Sequence, residues 1–139
     1  MYTIDASVHI NAVNAEEPGS AQSQACLQQL IEQHQALFSP TLLLVELAAA
    51  AARALDDIPL AIELAHAVHN LPGQVWVALD DDLAAEAAQL AAEARLRGAD
   101  AVYAAVARRF GATLITRDRQ QLERLRSLIS VATPEDVLV

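Results

Sequence analysis

Short, continuous apolar runs alternate along the chain with longer stretches in which apolar residues recur every three or four positions. The short runs predict buried β-strands, and the longer stretches predict amphipathic helices. The predicted strands are 2–5, 36–38, 74–79, 112–116 and 128–131. The predicted helices are 8–13, 20–35, 41–55, 59–69, 80–96, one starting just after Gly98, and 121–125. This alternation predicts one three-layer α/β/α domain over residues 1–139, with a mainly parallel central sheet.

The ends of several predicted helices carry recognisable signals. Gly98 is expected to end one helix in a left-handed conformation, so that Asp100 falls in the first turn of the next. Ser20 is a candidate N-cap, and Pro59 is expected to open a helix. Asp80, Asp81 and Asp82 are interpreted as an N-terminal cap, although they are also the main competing metal site. Residues 133–136 predict a terminal cap or turn.

Four acidic residues occupy positions at which a carboxylate needs an explanation. Asp5 ends the first strand, Asp118 follows the fourth, and Asp100 lies at a helix start. Glu46 is the only charge between Thr41 and Arg53 in a very apolar helix. Each acid alone is also explained as a cap, a turn residue or an exposed side chain. As a group, however, they are expected to meet, because the carboxyl ends of parallel strands line one crevice.

Clustered carboxylates repel one another unless a cation or protons neutralise them. Mg²⁺ and Mn²⁺ prefer such oxygen ligands and retain water. The chemistry that this arrangement suits is phosphodiester hydrolysis, in which two metal ions about 3.5 to 4 Å apart activate water and stabilise the leaving oxygen.

Four segments in this order and approximate spacing resemble the PIN-domain nucleases, and among them the VapC-like toxin ribonucleases of toxin–antitoxin pairs. The segments are YTIDAS, SPTLLLVEL, LRGADAVYAAVA and LITRDRQQL. The resemblance implies that Asp5, Glu46, Asp100 and Asp118 form the catalytic, metal-binding tetrad, with Ser7 and Thr116 supporting it. It also implies Mg²⁺ or Mn²⁺ dependence, an RNA substrate, a homodimer, and an antitoxin whose C-terminal segment blocks the active site.

Charge is distributed unevenly along the chain. The net charge of −9 ordinarily counts against a nucleic-acid partner. Residues 1–94, however, contain 13 acids and one arginine, whereas residues 95–139 contain five acids and eight arginines. All cations are arginines, which suit forked contacts to phosphate. The candidate RNA contacts are Arg95, Arg97, Arg117 and Arg119, which are equally suited to pair with an acidic dimer mate or antitoxin.

Several other classes of protein are excluded or disfavoured. A phosphoacceptor receiver domain and a P-loop each need a lysine, and this chain has none. A GxGxxG fingerprint is absent after the first strand. The single Cys26 excludes an internal disulfide or a cysteine-rich zinc site and is expected to be buried. His66 and His69 lack a third ligand nearby in sequence and are expected at the surface, and His9 is interpreted as a helix-face residue with a possible substrate contact.

Two expectations concern location and the competing function. No uncharged run reaches the roughly 18 residues of a membrane span, and no secretory signal is evident, so we expect a cytoplasmic protein. The alternative to a nuclease is a catalytically silent acidic module that keeps this fold and acts through protein–protein contacts. Retention of four like charges argues against that alternative.

Overall fold

The computed structural model describes residues 1–139 and contains five strands and eight helices. The strands are β1 (Tyr2–Ile4), β2 (Leu37–Pro40), β3 (Gln74–Val77), β4 (Thr113–Ile115) and β5 (Val131–Ala132). The helices are α1 (Ala6–Val13), α2 (Ser20–Glu32), α3 (Leu42–Leu55), α4 (Ile58–His69), α5 (Asp81–Ala94), α6 (Gly98–Phe110), α7 (Arg119–Leu125) and α8 (Pro134–Leu138). Helices follow strands as the apolar pattern predicts.

All strands are parallel, in the order β3-β2-β1-β4-β5, so β1 lies in the centre of the sheet. Ile4 of β1 pairs with Ile115 of β4. The next residues, Asp5 and Thr116, therefore leave the sheet side by side at its carboxyl edge. The predicted parallel three-layer fold is confirmed, and the register places two of the singled-out residues at the centre of the crevice.

Apolar residues form two clusters. The smaller comprises Ile4, Val8, Cys26, Leu30, Leu37 and Ile115, which pack α1 and α2 against the sheet. The larger includes side chains from α3, α5 and α6, and every residue of α6 from Ala101 to Ala107 is buried. Cys26 is fully buried, as predicted. No helix combines the length and apolar character needed to cross a membrane.

Two predicted helix ends are wrong. Arg95, not Gly98, is the left-handed residue that ends α5, with φ of 54°, and Gly98 begins α6. Asp100 nevertheless lies in the first turn of α6. Ser20 is the first residue of α2 and not its cap, because Gly19 takes the N-cap position at φ of 85°. The Ser20 hydroxyl instead donates to the carbonyl of Ala12 at 3.3 Å.

Candidate metal centre

Asp5 is the most buried of the four acids, with 5% of its surface exposed. Its Oδ2 accepts hydrogen bonds from Ser7 Oγ at 2.6 Å, Thr116 Oγ1 at 3.0 Å and Gln121 Nε2 at 3.3 Å. Oδ1 has no hydrogen-bond partner in the protein. One oxygen is thus held in place and the other remains free for a ligand.

The pKa of Asp5 is raised, chiefly because burial penalises the charged form. The charges of Glu46 and Asp118 raise this pKa further, whereas the hydrogen bonds from Ser7 and Thr116 lower it. Burial and like charge outweigh the hydrogen bonds. An ionised Asp5 is therefore unfavourable in the protein alone and would be stabilised by a cation.

Asp100 approaches Asp5 through a shared donor. Its Oδ1 accepts from Gln121 Nε2 at 3.1 Å, and its Oδ2 accepts from Arg97 Nε at 3.3 Å. The pKa of Asp100 is raised overall, because the effects of burial and of the Asp5 charge exceed the opposing effect of Arg97. Burial and a neighbouring negative charge thus raise the pKa of both Asp5 and Asp100, as expected of two carboxylates that lie close together.

Asp118 both caps α7 and faces the other acids. Its Oδ1 accepts from the Gln121 backbone N–H at 3.1 Å, and its Oδ2 accepts from Arg97 Nη2 at 3.0 Å. Its own N–H donates to Thr116 Oγ1 at 3.0 Å. Because the Thr116 hydroxyl also donates to Asp5, it links the Asp5 carboxylate to the backbone of Asp118. Ser7 plays a similar part, since its Oγ accepts from the Arg117 N–H at 3.2 Å.

Glu46 is half-buried on α3. Its charge raises the pKa of both Asp5 and Tyr103, so it lies near both groups. The Tyr103 hydroxyl is buried in α6 and makes no hydrogen bond of good geometry. Glu46 therefore does not occupy an outer helix face.

Gln121 is a site residue that the sequence analysis missed. It is 1% exposed, and its amide lies between Asp5 and Asp100. A glutamine in a short amphipathic helix is typical of a solvated face, so its type gives little signal. The one available signal is that Gln121 lies three residues after Asp118, the N-cap of α7. That spacing predicts a capping box, in which the glutamine side chain would bind the cap backbone and not the carboxylates.

The four candidate RNA-contacting arginines differ in their surroundings. Arg97 is 74% exposed and pairs with Asp100 and Asp118 at the mouth of the crevice. Arg95 and Arg119 are exposed. Arg117 is different, because its guanidinium points away from the acids and binds structural partners. It donates to Ser23 Oγ at 2.6 Å, the Gly19 carbonyl at 2.8 Å and Glu135 at 2.8 Å, so it is not free to bind phosphate.

The competing sites are separate from this crevice. Asp80 caps α5 by accepting from the Leu83 N–H at 2.8 Å, which accounts for the first of the three consecutive acids. His66 and His69 are exposed, as predicted, and His69 stacks on Trp76. His9 is 2% exposed, and burial lowers its pKa to about 4, so it does not offer a surface contact.

The donor set fits a hard divalent cation in charge and chemistry, because the acids supply only oxygen ligands. Asp5 Oδ1 is free, and the raised pKa of Asp5 and of Asp100 shows negative charge in need of neutralisation. At present, however, no three acidic side chains converge at metal-binding spacing. Gln121 and Arg97 hold the carboxylates instead.

Comparison with known proteins identifies the fold. A sequence model of the PIN domain matches residues 2–128. The solved structure of FitAcB from Neisseria gonorrhoeae is 22% identical, with a TM-score of 0.72 and coverage of 97% of this chain and 99% of that one. VapC20 of Mycobacterium tuberculosis, described as a sarcin-ricin loop cleaving toxin, is 16% identical with a TM-score of 0.72, covering 88% and 94%.

A third similar structure is that of VapBC2 from Rickettsia felis bound to a DNA fragment from its promoter. It is 13% identical with a TM-score of 0.71, and the match covers 95% of this chain and 97% of that one. A search of curated protein sequences finds no match. At these identities the structural likeness establishes the fold, and the sequence model establishes the family.

Proposed function

The chain belongs to the PIN domain family, and on that basis we propose that it is a metal-dependent endoribonuclease that hydrolyses RNA phosphodiester bonds. The observation that carries the proposal is that Asp5 and Asp100 share one donor, the Gln121 amide. The pKa of Asp5, raised chiefly by burial, is raised further by the charges of Glu46 and Asp118. Family membership supports nuclease activity in general. The preference for RNA rests on the sequence resemblance and on the VapC-like structural neighbours.

The four acids would hold Mg²⁺ or Mn²⁺, and they are the candidate catalytic residues. When bound, the cation supplies an activated water and stabilises the leaving oxygen. Ser7 and Thr116 hold Oδ2 of Asp5, and its Oδ1 has no hydrogen-bond partner in the protein. Both hydroxyls are positioning groups, because they act through Asp5.

The exposed arginines at the mouth of the crevice are the proposed RNA contacts. Arg97 already lies over Asp100 and Asp118, and Arg95 and Arg119 flank the same acids in sequence. Because the Arg97 side chain is 74% exposed, part of its guanidinium is accessible to a phosphate. Arg117 leaves the proposed set, because its guanidinium is bound to α2 and α8.

We further propose that the chain is the toxin of a toxin–antitoxin pair and forms a homodimer. Solved neighbours include toxin–antitoxin complexes, such as one from Klebsiella pneumoniae. Exposed apolar side chains, including Val45 and Ile62, line a groove of about 430 Å³ between α3 and α4, which suits an apolar antitoxin segment. Co-expression with the neighbouring gene tests the antitoxin, and light scattering of the purified chain tests the dimer.

One observation favours the alternative of a catalytically silent binding module. Three of the four acids, Asp5, Asp100 and Asp118, accept hydrogen bonds from Gln121 or Arg97 within the protein. Such a module would bind protein partners without hydrolysing RNA. The cleavage experiment below separates it from the nuclease.

The test is cleavage of a fluorescently labelled RNA in Mg²⁺, in Mn²⁺ and in EDTA, with Asp100→Asn as the active-site variant. We expect cleavage only with metal, and a loss of at least about 100-fold in rate for the variant, because electrostatic groups of this kind typically contribute that much. Asp81→Asn is the matched control, since Asp81 is an exposed acid at the start of α5. Equal rates for wild type and a folded Asp100→Asn protein would contradict the proposal.

A further inference from the structure

Arg124 on α7 binds the turn that joins α5 to α6, residues 95–97. Its Nη1 donates to the carbonyl of Arg95, the left-handed residue that ends α5. The negative end of the α5 helix dipole favours a cation at this position. Arg124 is exposed, and the other N–H donors of its fork have no partner in the protein. The guanidinium is therefore held in one place without being neutralised by a carboxylate.

The same turn carries two more arginines, Arg95 and Arg97. Arg97 donates to Asp118, the N-cap of α7, whereas Arg124 lies near the other end of that helix. The two contact points on α7 are six positions apart, which is about 9 Å along a helix axis at about 1.5 Å per residue. Of the three arginines, only Arg97 takes part in an ion pair. The turn and α7 therefore present positive charge next to the crevice, although the net charge of the chain is −9.

The surroundings of these arginines indicate the kind of partner that they fit. None of the large apolar side chains that are exposed elsewhere lies in the turn 95–97 or in α7. Protein–protein interfaces are built around buried apolar or aromatic anchors, and this surface offers none. A forked guanidinium matches a phosphate, and an RNA backbone repeats phosphates along its length. The surface thus fits a polyanionic strand better than a folded protein.

We propose that Arg124 is a further RNA contact and that, together with Arg95 and Arg97, it holds the backbone phosphates of an RNA strand beside the crevice. The inference rests on the proposed function and concerns how the substrate is held, not how it is cleaved. Phosphate contacts carry no sequence information, so binding here has little dependence on the bases. The hydrogen bond to Arg95 fixes the guanidinium in advance, so little conformational entropy is lost when a phosphate binds.

Fluorescence anisotropy of a labelled single-stranded oligouridylate, in EDTA, measures this binding separately from cleavage. The logarithm of the affinity falls with the logarithm of the salt concentration, with a slope of about 0.7 for each phosphate contact on a single strand. Arg124→Gln should therefore reduce the slope by about 0.7 and weaken binding several-fold at low salt. Arg108→Gln is the matched control, because Arg108 is an exposed arginine at the opposite end of α6 from the turn and its loss changes the net charge equally. The control should keep the wild-type slope.

Each other result of the titration overturns the inference. An unchanged slope for Arg124→Gln would remove Arg124 from the RNA contacts, and an equal loss in Arg108→Gln would show attraction by bulk charge. Poly-glutamate that binds as tightly as RNA, with the same loss in Arg124→Gln, would make the surface a protein-docking site. If Arg124→Gln does not fold, Arg95→Gln replaces it, and an unchanged slope there would equally overturn the idea.

Failure of the proposed function gives a different result. RNA that is bound in EDTA with the expected dependence on Arg124, but is not cleaved in Mn²⁺, would contradict the nuclease and still support this surface. Absence of RNA binding by the folded wild-type protein in EDTA would overturn the surface itself.

Discussion

Replacing Asp5 with asparagine should stabilise the metal-free protein. The asparagine carbonyl can accept the three hydrogen bonds that Asp5 Oδ2 now accepts, and its NH₂ then takes the unpartnered Oδ1 position. The substitution removes a buried charge while the contacts are kept. The raised pKa of Asp5 gives the sign, because it shows that the ionised form is disfavoured in the folded state.

The magnitude follows from the shared donor. Asp5 Oδ2 and Asp100 Oδ1 lie 3.3 and 3.1 Å from one nitrogen, so they are separated by no more than the sum of these distances, about 6.4 Å. Two unit charges at that separation repel by about 2.6 kcal/mol at an effective dielectric constant of about 20. Weaker hydrogen bonds to a neutral acceptor offset part of this gain. We expect a net stabilisation of about 1 to 2 kcal/mol, which is a rise in Tm of roughly 3 to 8 °C.

Thermal unfolding followed by circular dichroism, in EDTA and in Mn²⁺, measures the effect. The order of stability should reverse with metal, because wild type gains about 2.7 kcal/mol at 100 times its Kd and the variant does not. The EDTA advantage should also shrink as pH falls through the raised pKa of Asp5, since wild type then takes up a proton and loses the unfavourable charge. Glu16→Gln, at an exposed acid, is the control. A folded Asp5→Asn protein that melts below wild type in EDTA would refute the reasoning.

Three further outcomes concern other contacts. Arg117→Met should lower the free energy of unfolding by about 2 to 4 kcal/mol in urea, because three hydrogen bonds from a mostly buried guanidinium are lost, and an unchanged midpoint would show that they contribute nothing. Burial lowers the pKa of His9 to about 4, so between about pH 6.5 and 4 the unfolded chain binds a proton that the folded chain does not bind. The free energy of unfolding should therefore decrease by roughly 1.4 kcal/mol for each unit by which the pH is lowered in this range. His9→Phe should remove this contribution to the pH slope, and an identical slope would contradict it. Arg97→Gln should change the Tm in EDTA by no more than about 2 °C, because Arg97 is exposed, yet strengthen Mn²⁺ binding severalfold in calorimetry. Weaker Mn²⁺ binding would show that Arg97 does not compete with the cation.

The sequence predicts the fold because the fold depends on local patterns and one general rule. That the four acids form one metal site stays a prediction. Apolar periodicity identifies the elements, and the parallel topology brings residues such as Asp5 and Asp118 to one edge of the sheet. Three strands, β1, β3 and β4, end one or two residues earlier than predicted. By contrast, β2 extends to Pro40, and the predicted last strand, 128–131, is wrong except at Val131, where β5 begins. Asp5 and Thr116 lie just beyond β1 and β4, where their side chains are available to the crevice.

Local sequence patterns did not predict side-chain contacts between distant parts of the chain. Gln121 meets Asp5 across 116 positions, and Arg117 meets Gly19 across 98. Nothing in the local pattern around Gln121 or Arg117 indicates those partners. Arg117 lies between two site residues, so its sequence position predicts a role in the crevice, but successive side chains in an extended segment point to opposite sides. Its neighbours face the acids and Arg117 faces α2.

That alternation explains how a site crowded with like charges keeps its geometry. The segment that carries Thr116 and Asp118 is held from behind by Arg117, whose guanidinium lies so close to Gly19 that a Cβ there would approach it to 2.7 Å. A glycine at this position is therefore required both by its φ of 85° and by the guanidinium packed against it. The favourable contacts that fix the loop lie outside the crevice, whereas the repulsion lies within it. The backbone that carries Thr116 and Asp118 is consequently held by contacts that do not involve the acids of the crevice.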